Sequence, residues 1–411
     1  IHLKPDLADF SFTGTAEILL EAPQSVEEIR LNLLELAIWR CQVLQNDGSV
    51  NCAFNVDPAK EELRISLPEP MAGNIKLKIE YQGLINDKMA GFYRSQYSYQ
   101  DQTKYIAVTQ FEESDARRAF PCIDHPARKA TFDIEIDIDP ELMAISNGAV
   151  KEKKVLANGK MRITFEQTPK MSTYLVFFGI GEFEFTPDKK DKRVRVATLP
   201  GMQKFARFGA DLGRKSLEFS ESYYGIAYPL PKMDLIAIPD FAFGAMENWG
   251  AITFRENLLL HYPDVTSKSG EERIFEVVAH EIAHQWFGNL VTPSDWRYLW
   301  LNESFATFFG FGVVDHYCPQ WDTWQQFLYS MTDPALTRDA LHETFAIEIP
   351  GGEHVVINAS TAPIIYNKGG SILRQIQGYI GEDSFRKGLQ HYLQTHEYDC
   401  ATSQDLWQSM E

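Results

Sequence analysis

The sequence predicts two domains of different class: an antiparallel all-β domain over residues 1–186 and an α+β domain over residues 187–411. Three observations carry that reading. At 411 residues the chain exceeds the roughly 100–200 of an ordinary single domain. Its first half alternates apolar and polar residues with a period of two, between clusters of turn formers. Its second half places apolar residues at helical spacing.

In the first domain, residues 11–21, 28–34, 62–67 and 74–81 alternate partially, and 131–138 and 161–165 alternate more cleanly. Residues 173–185 add an aromatic run. Gly, Asn, Asp and Pro punctuate these stretches, as expected for strands with one buried face. The polar stretch 187–192 marks the boundary. Short strands follow at 193–199, 233–238 and 251–254. Helices are then expected at 270–287, 301–316, 371–380, 383–395 and 403–410, with Ser267 or Ser269 capping the first.

Composition excludes several classes. With 27 Phe, 17 Tyr and 8 Trp the chain has ample material for a core, so it is not disordered. Its 39 basic and 57 acidic residues give a net charge of −18, which disfavours nucleic acid and mildly favours cationic ligands. The plainer use of that charge is solubility. No apolar run approaches the ~18 residues of a membrane helix. The five cysteines, Cys41, Cys52, Cys122, Cys318 and Cys400, are scattered and form no C-x-x-C. Buried free thiols are expected, which points to a reducing, cytoplasmic setting. Both chain ends, Ile1 and Glu411, look trimmed.

The strongest chemical signal is His280-Glu281-Ile282-Ala283-His284. On a helix, positions i and i+4 share a face, so both imidazoles can meet one ion. Glu281 lies about 100° round the helix from His280 and can reach a water on that ion without ligating it. Only ten histidines occur in the chain, so an accidental match is improbable. A catalytic zinc needs a third ligand and an open position. Glu303 opens the next predicted helix, with eighteen residues between it and His284. Alone it would read as a helix N-terminal acid; beside the histidine pair it reads as the third ligand. Two neutral imidazoles and one carboxylate leave net positive charge on Zn²⁺, which lowers the pKa of bound water.

This pattern resembles the zinc signature of the gluzincin aminopeptidases, of the aminopeptidase N and puromycin-sensitive aminopeptidase type. Gly244-Ala245-Met246-Glu247-Asn248 is similar to their exopeptidase motif. Trp249-Gly250, Arg255-Glu256 and Gln285-Trp286-Phe287-Gly288-Asn289 also match. In the first half, Thr109-Gln110-Phe111-Glu112 and Asp115-Ala116-Arg117-Arg118-Ala119-Phe120-Pro121-Cys122 resemble the family's β-domain signature. Tyr366-Asn367-Lys368-Gly369-Gly370 resembles its catalytic-tyrosine segment.

The resemblance implies a saddle-like β domain followed by a thermolysin-like zinc peptidase domain, with one Zn²⁺ per chain. It implies a zinc-dependent aminopeptidase acting on peptides with a free N-terminus. Glu281 would be the general base, and Tyr366 would stabilise the oxyanion. By residue type alone a tyrosine such as Tyr366 is more often packing. Glu247, and Glu112 from the β domain with Glu113 as its alternative, would bind the substrate amine. The backbone of Gly244, Ala245 and Met246 would pair with an extended substrate, beside Asn248. Three departures stand out: Ser304 where a Gly commonly follows the ligand Glu, the stretch 294–298, and the stretch 359–365. Ser304 is small, so little harm is expected from it. Family members usually continue into further domains, so a fragment or a short open form is expected. An epoxide hydrolase on the same scaffold and a non-catalytic peptide-binding fragment are the competing readings. The preferred first residue and the oligomeric state are not legible.

Overall fold

The computed structural model describes residues 1–45, 48–349 and 357–411. The chain divides into two compact units, Ile1–Phe183 and Glu184–Glu411. The polar stretch 187–192 joins two paired strands of the second unit, Glu184–Pro187 and Val194–Thr198.

The first unit is built on a nine-stranded and a four-stranded sheet. Ser11–Asn32 runs antiparallel to Glu62–Leu84 along most of its length. Register shifts fall between Ala22 and Val26 and between Val26 and Glu28. The apolar alternation breaks there, which is why the sequence reads each long strand as two pieces. Along one face Leu63, Ile65, Leu77, Ile79 and Tyr81 are buried. One pair departs from the antiparallel expectation: His2–Asp6 lies parallel to Glu135–Ile138. The aromatic run 173–185 is not one strand. It holds a 3₁₀ turn, Thr173–Leu175, and the strand Phe178–Gly181. The hairpin of Gly91–Tyr99 and Gln102–Gln110 was not expected from the sequence.

Asp137 ties three of these strands together. Its carboxylate accepts from Arg162 Nε at 2.7 Å and Nη2 at 3.0 Å, and lies 3.0 Å from His2 Nε2. Burial alone would raise its pKa, but the Arg162 guanidinium and His2 outweigh burial and hold it below its ordinary value.

The second unit pairs a five-stranded mixed sheet with helices. From one edge the strands are Glu184–Pro187, Val194–Thr198, Met233–Ile238, Ala251–Arg255 and Ala245–Met246. The inner pairs are parallel and the outer pairs antiparallel. The helices are α1 (Arg207–Tyr224), α2 (Lys268–Ala283), α3 (Trp300–Tyr317), α4 (Thr323–Phe327), α5 (Asp333–Asp339), α6 (Gly369–Ile380), α7 (Glu382–Thr395) and α8 (Ser403–Met410). Helix α3 is buried on every side from Trp300 to Phe311 and forms the core of this unit. Helices α1 and α3 both pack on α2. Among the described residues no helix is long and apolar enough to cross a membrane. All five cysteines are free; Cys41, Cys52 and Cys122 are buried, while Cys318 and Cys400 are half-buried.

Asp137 generates a pH prediction. Its folded pKa lies below the unfolded value of about 3.9, so its stabilisation is complete above that pH and lost as pH falls below it through the folded pKa. Asp137→Asn is expected to cost ~1–2 kcal/mol at neutral pH, with the gap to the parent closing below pH ~4. Urea midpoints measured from neutral to acid pH test this; a gap independent of pH contradicts it.

Candidate metal centre

Helix α2 starts where the Ser267 hydroxyl accepts from Gly270 N at 3.1 Å, with Glu271 in its first turn. Of the two expected caps, Ser267 is the one used. Ile274, Phe275, Val278 and Ile282 fix the buried face. His280 and His284 therefore project together from the last turn. Helix α3 crosses close by because Gly310 lacks a side chain; a Cβ there would lie 3.1 Å from Glu276 O and 3.5 Å from His280 Cβ. Phe287 and Phe305 stack at 4.4 Å between ring centroids and lock the crossing. Glu303, in the first turn of α3, is thereby brought to the histidines.

His280 Nε2 and His284 Nε2 lie 3.1 Å apart, and each is 3.3 Å from Glu303 Oε2. A tetrahedral cation with ligand bonds of ~2.0–2.1 Å has ligands ~3.3 Å apart, so the spacing and the N/N/O donor set fit zinc. The proton inventory agrees. His284 Nδ1 lies 3.0 Å from the Phe287 carbonyl, which can only accept, so Nδ1 carries hydrogen and Nε2 is the ring nitrogen turned to His280 and Glu303.

Burial pushes the His280 pKa down to about 4 despite the opposing pull of Glu303, so it stands in the neutral, ligating form. Burial also opposes charging His284, but the carboxylates of Glu247, Glu303 and Glu281 outweigh it and raise that pKa well above the ordinary range. Burial would raise Glu303; His284 and His280 reverse this and hold it at about 2. Glu281 is raised well above the ordinary value by burial, and further by Glu247 and Glu303. Glu247 is raised by burial and by Glu303, against the pull of His284. Ligand atoms of Glu247, Glu281 and His284 lie within 4.8 Å of one another. Among the described residues, Glu247 Oε1 and Glu281 Oε2 are buried without a hydrogen-bond partner. Three buried carboxylates around one imidazole call for positive charge.

Glu247 follows the edge strand Ala245–Met246 and is held by its backbone. Its carbonyl accepts from Gln285 Nε2 at 3.1 Å and Asn289 Nδ2 at 2.8 Å. Gln285 also donates to Glu281 O at 3.1 Å. Gly244 O accepts from Arg255 N at 2.9 Å, and Asn248 Nδ2 donates to Thr253 Oγ1 at 3.2 Å. Further along the loop, Gly250 O accepts from the buried Lys232 Nζ at 2.8 Å. Tyr366 is half-buried in a π-helical turn, Pro363–Lys368. Its ring lies parallel to His280, with centroids 6.1 Å apart and planes at 10°.

The structure thus brings His280, Glu281, His284, Glu303, Glu247 and Tyr366 together. Glu112 belongs to the first unit, half-buried just beyond the strand Gln102–Gln110. The clamp of Gln285 and Asn289 on Glu247 was not foreseen. The spacing of Gln285 from Glu281, one helical turn, is the signal that could have placed it on the site face.

Two family models match the chain: the Peptidase family M1 domain over residues 208–411 and the Peptidase M1 N-terminal domain over residues 1–175. The chain is 40% identical over 419 residues to Aminopeptidase M1 of Arabidopsis thaliana, covering 100% of this chain and 47% of that protein. It is 40% identical over 419 residues to Aminopeptidase 2, mitochondrial, of Saccharomyces cerevisiae, covering 100% of this chain and 44% of that protein. Against the Puromycin-sensitive aminopeptidase of Caenorhabditis elegans identity is 40% over 417 residues, with 100% and 44% covered. The chain spans about half the length of these relatives.

Glu303→Ala and His284→Ala are each expected to lower the affinity for zinc by at least about 100-fold, since two ligands remain where three are needed. Competition with a chromophoric chelator measures this; parental affinity in either variant would show that the ion sits elsewhere.

Proposed function

This chain belongs to the M1 peptidase family, and we propose that it carries the catalytic machinery of a zinc aminopeptidase that hydrolyses the N-terminal peptide bond of peptides. One observation carries the proposal: His280 Nε2, His284 Nε2 and Glu303 Oε2 converge within 3.1–3.3 Å while two more buried carboxylates face the same imidazole.

His280, His284 and Glu303 would hold one Zn²⁺, which would supply a Lewis acid for the scissile carbonyl and acidify a water. Glu281 takes the proton from the attacking water and delivers it to the departing amine. Its raised pKa, from burial and neighbouring carboxylates, suits it to both holding and releasing that proton. Tyr366 donates its hydroxyl to the oxyanion that develops on the former carbonyl.

Selectivity for the chain end follows from Glu247. A free α-ammonium neutralises this buried carboxylate, whereas a blocked N-terminus leaves it unpaired, at a cost no exposed acid would impose. The backbone of Gly244, Ala245 and Met246 lies on a sheet edge and offers an extended peptide a strand to pair with, with Asn248 beside it. The charge of −18 supports cationic peptide ends over nucleic acid as partners. The free thiols support a cytoplasmic setting.

Glu281→Gln is expected to keep its zinc and lose ~10³-fold or more in kcat; a variant as fast as its parent contradicts the base role. Glu247→Ala is expected to raise KM and lower kcat/KM by about 10–100-fold for free-amine aminoacyl substrates. Steady-state kinetics unchanged in that variant would remove Glu247 from amine recognition.

A further inference from the structure

Ser304 follows the ligand Glu303 on α3 and takes no part in the proposed chemistry. It is fully buried. Its Oγ donates a 2.6 Å hydrogen bond to the carbonyl of Ile365, the residue directly before Tyr366. Gly369 makes room for that hydroxyl: a Cβ added there would lie 1.8 Å from Ser304 Oγ and 2.6 Å from Ser304 Cβ. The serine hydroxyl and the bare glycine are thus complementary partners across the junction between α3 and the start of α6.

The peptide that Ser304 holds belongs to a π-helical turn, a form with poorer intrinsic stability than an α-helix. Other anchors secure the far side of this turn. Lys368 Nζ lies 2.8 Å from Asp339, and Ser371 Oγ donates to Asn367 O at 2.8 Å. The Ser304 bond links the turn to the helix that carries Glu303, so it relates the tyrosine directly to the metal ligand.

We propose that Ser304 is a positioning residue, whose hydrogen bond to the Ile365 carbonyl sets where the Tyr366 hydroxyl stands relative to Glu303 and the two histidines. The proposal rests on reading Tyr366 as the oxyanion donor. A donor displaced by a fraction of an ångström loses much of its stabilisation of the transition state while ground-state binding hardly changes.

The test uses zinc-loaded protein labelled with 3-fluorotyrosine. The fluorine line of Tyr366 is assigned by its loss in Tyr366→Phe. In Ser304→Ala that line is expected to shift. The variant's kcat is expected to fall about tenfold, with KM within about twofold and zinc content unchanged. Ser304→Ala added to Tyr366→Phe is expected to slow the enzyme no further, because both changes act through one hydroxyl. Ser304→Gly with Gly369→Ala refills the volume without the hydrogen bond, and is expected to stay slow. An unmoved fluorine line, a parental kcat in Ser304→Ala, full recovery in the volume-swapped pair, or additive losses with Tyr366→Phe would each overturn the proposal. If Tyr366→Phe itself keeps the parental kcat, the oxyanion role fails; the fluorine line in Ser304→Ala then decides the placement, a shift upholding it and no shift overturning it.

Discussion

Three potential ligand atoms, His280 Nε2, His284 Nε2 and Glu303 Oε2, converge across 3.1–3.3 Å in the interior of the second unit. Positive charge holds them together, as a proton on His284 or as a bound cation at the same point. Most of the surrounding architecture follows from meeting this constraint. The i, i+4 spacing on α2 fixes two of the donors. The bare Gly310 lets α3 approach until Glu303 supplies the third. The Phe287 carbonyl fixes the tautomer of His284. Helix α3 is buried on all sides from Trp300 to Phe311, which sets this junction in the middle of the core.

Around that centre, burial does chemical work. Glu247, Glu281 and Glu303 are 2%, 6% and 3% exposed, yet only Glu303 is held in its charged form by the histidines. The other two are pushed up by desolvation and by the Glu303 carboxylate, with Glu247 adding to the shift of Glu281. Such groups take up a proton or a cationic partner readily. A base that must accept and return a proton and a subsite for an ammonium group are the two uses this environment suits. The clamp of Gln285 and Asn289 on the Glu247 carbonyl ties the edge-strand loop to the segment that follows α2.

Much of the second unit was legible because its signals are local. The pair of histidines, the carboxylate beside the first, and the helices α3, α6, α7 and α8 all follow from spacing and caps. Helix α1 is not among the helices expected from the sequence, and its Gly209 and Gly213 weaken a helical pattern. In the fold they are close-contact positions, where a Cβ would lie 2.7 Å from Leu259 and Leu235 respectively. The first unit was harder. Long strands looked like separate pieces wherever Pro23, Pro68 or Pro70 interrupted the alternation, and a bulge in the ladder is invisible without its partner strand. The consequence of Ser304 was unreadable for the same reason. A small residue beside a ligand looks harmless until the carbonyl it bonds and the glycine that accommodates it are seen, and these lie more than sixty positions along the chain.

The most direct measurement follows fluorophore release from free-amine aminoacyl substrates and from their N-acetylated twins, each with and without a zinc chelator. Turnover confined to the free-amine set and abolished by the chelator is the result this account predicts. Equal cleavage of both sets, or turnover indifferent to the chelator, would contradict it.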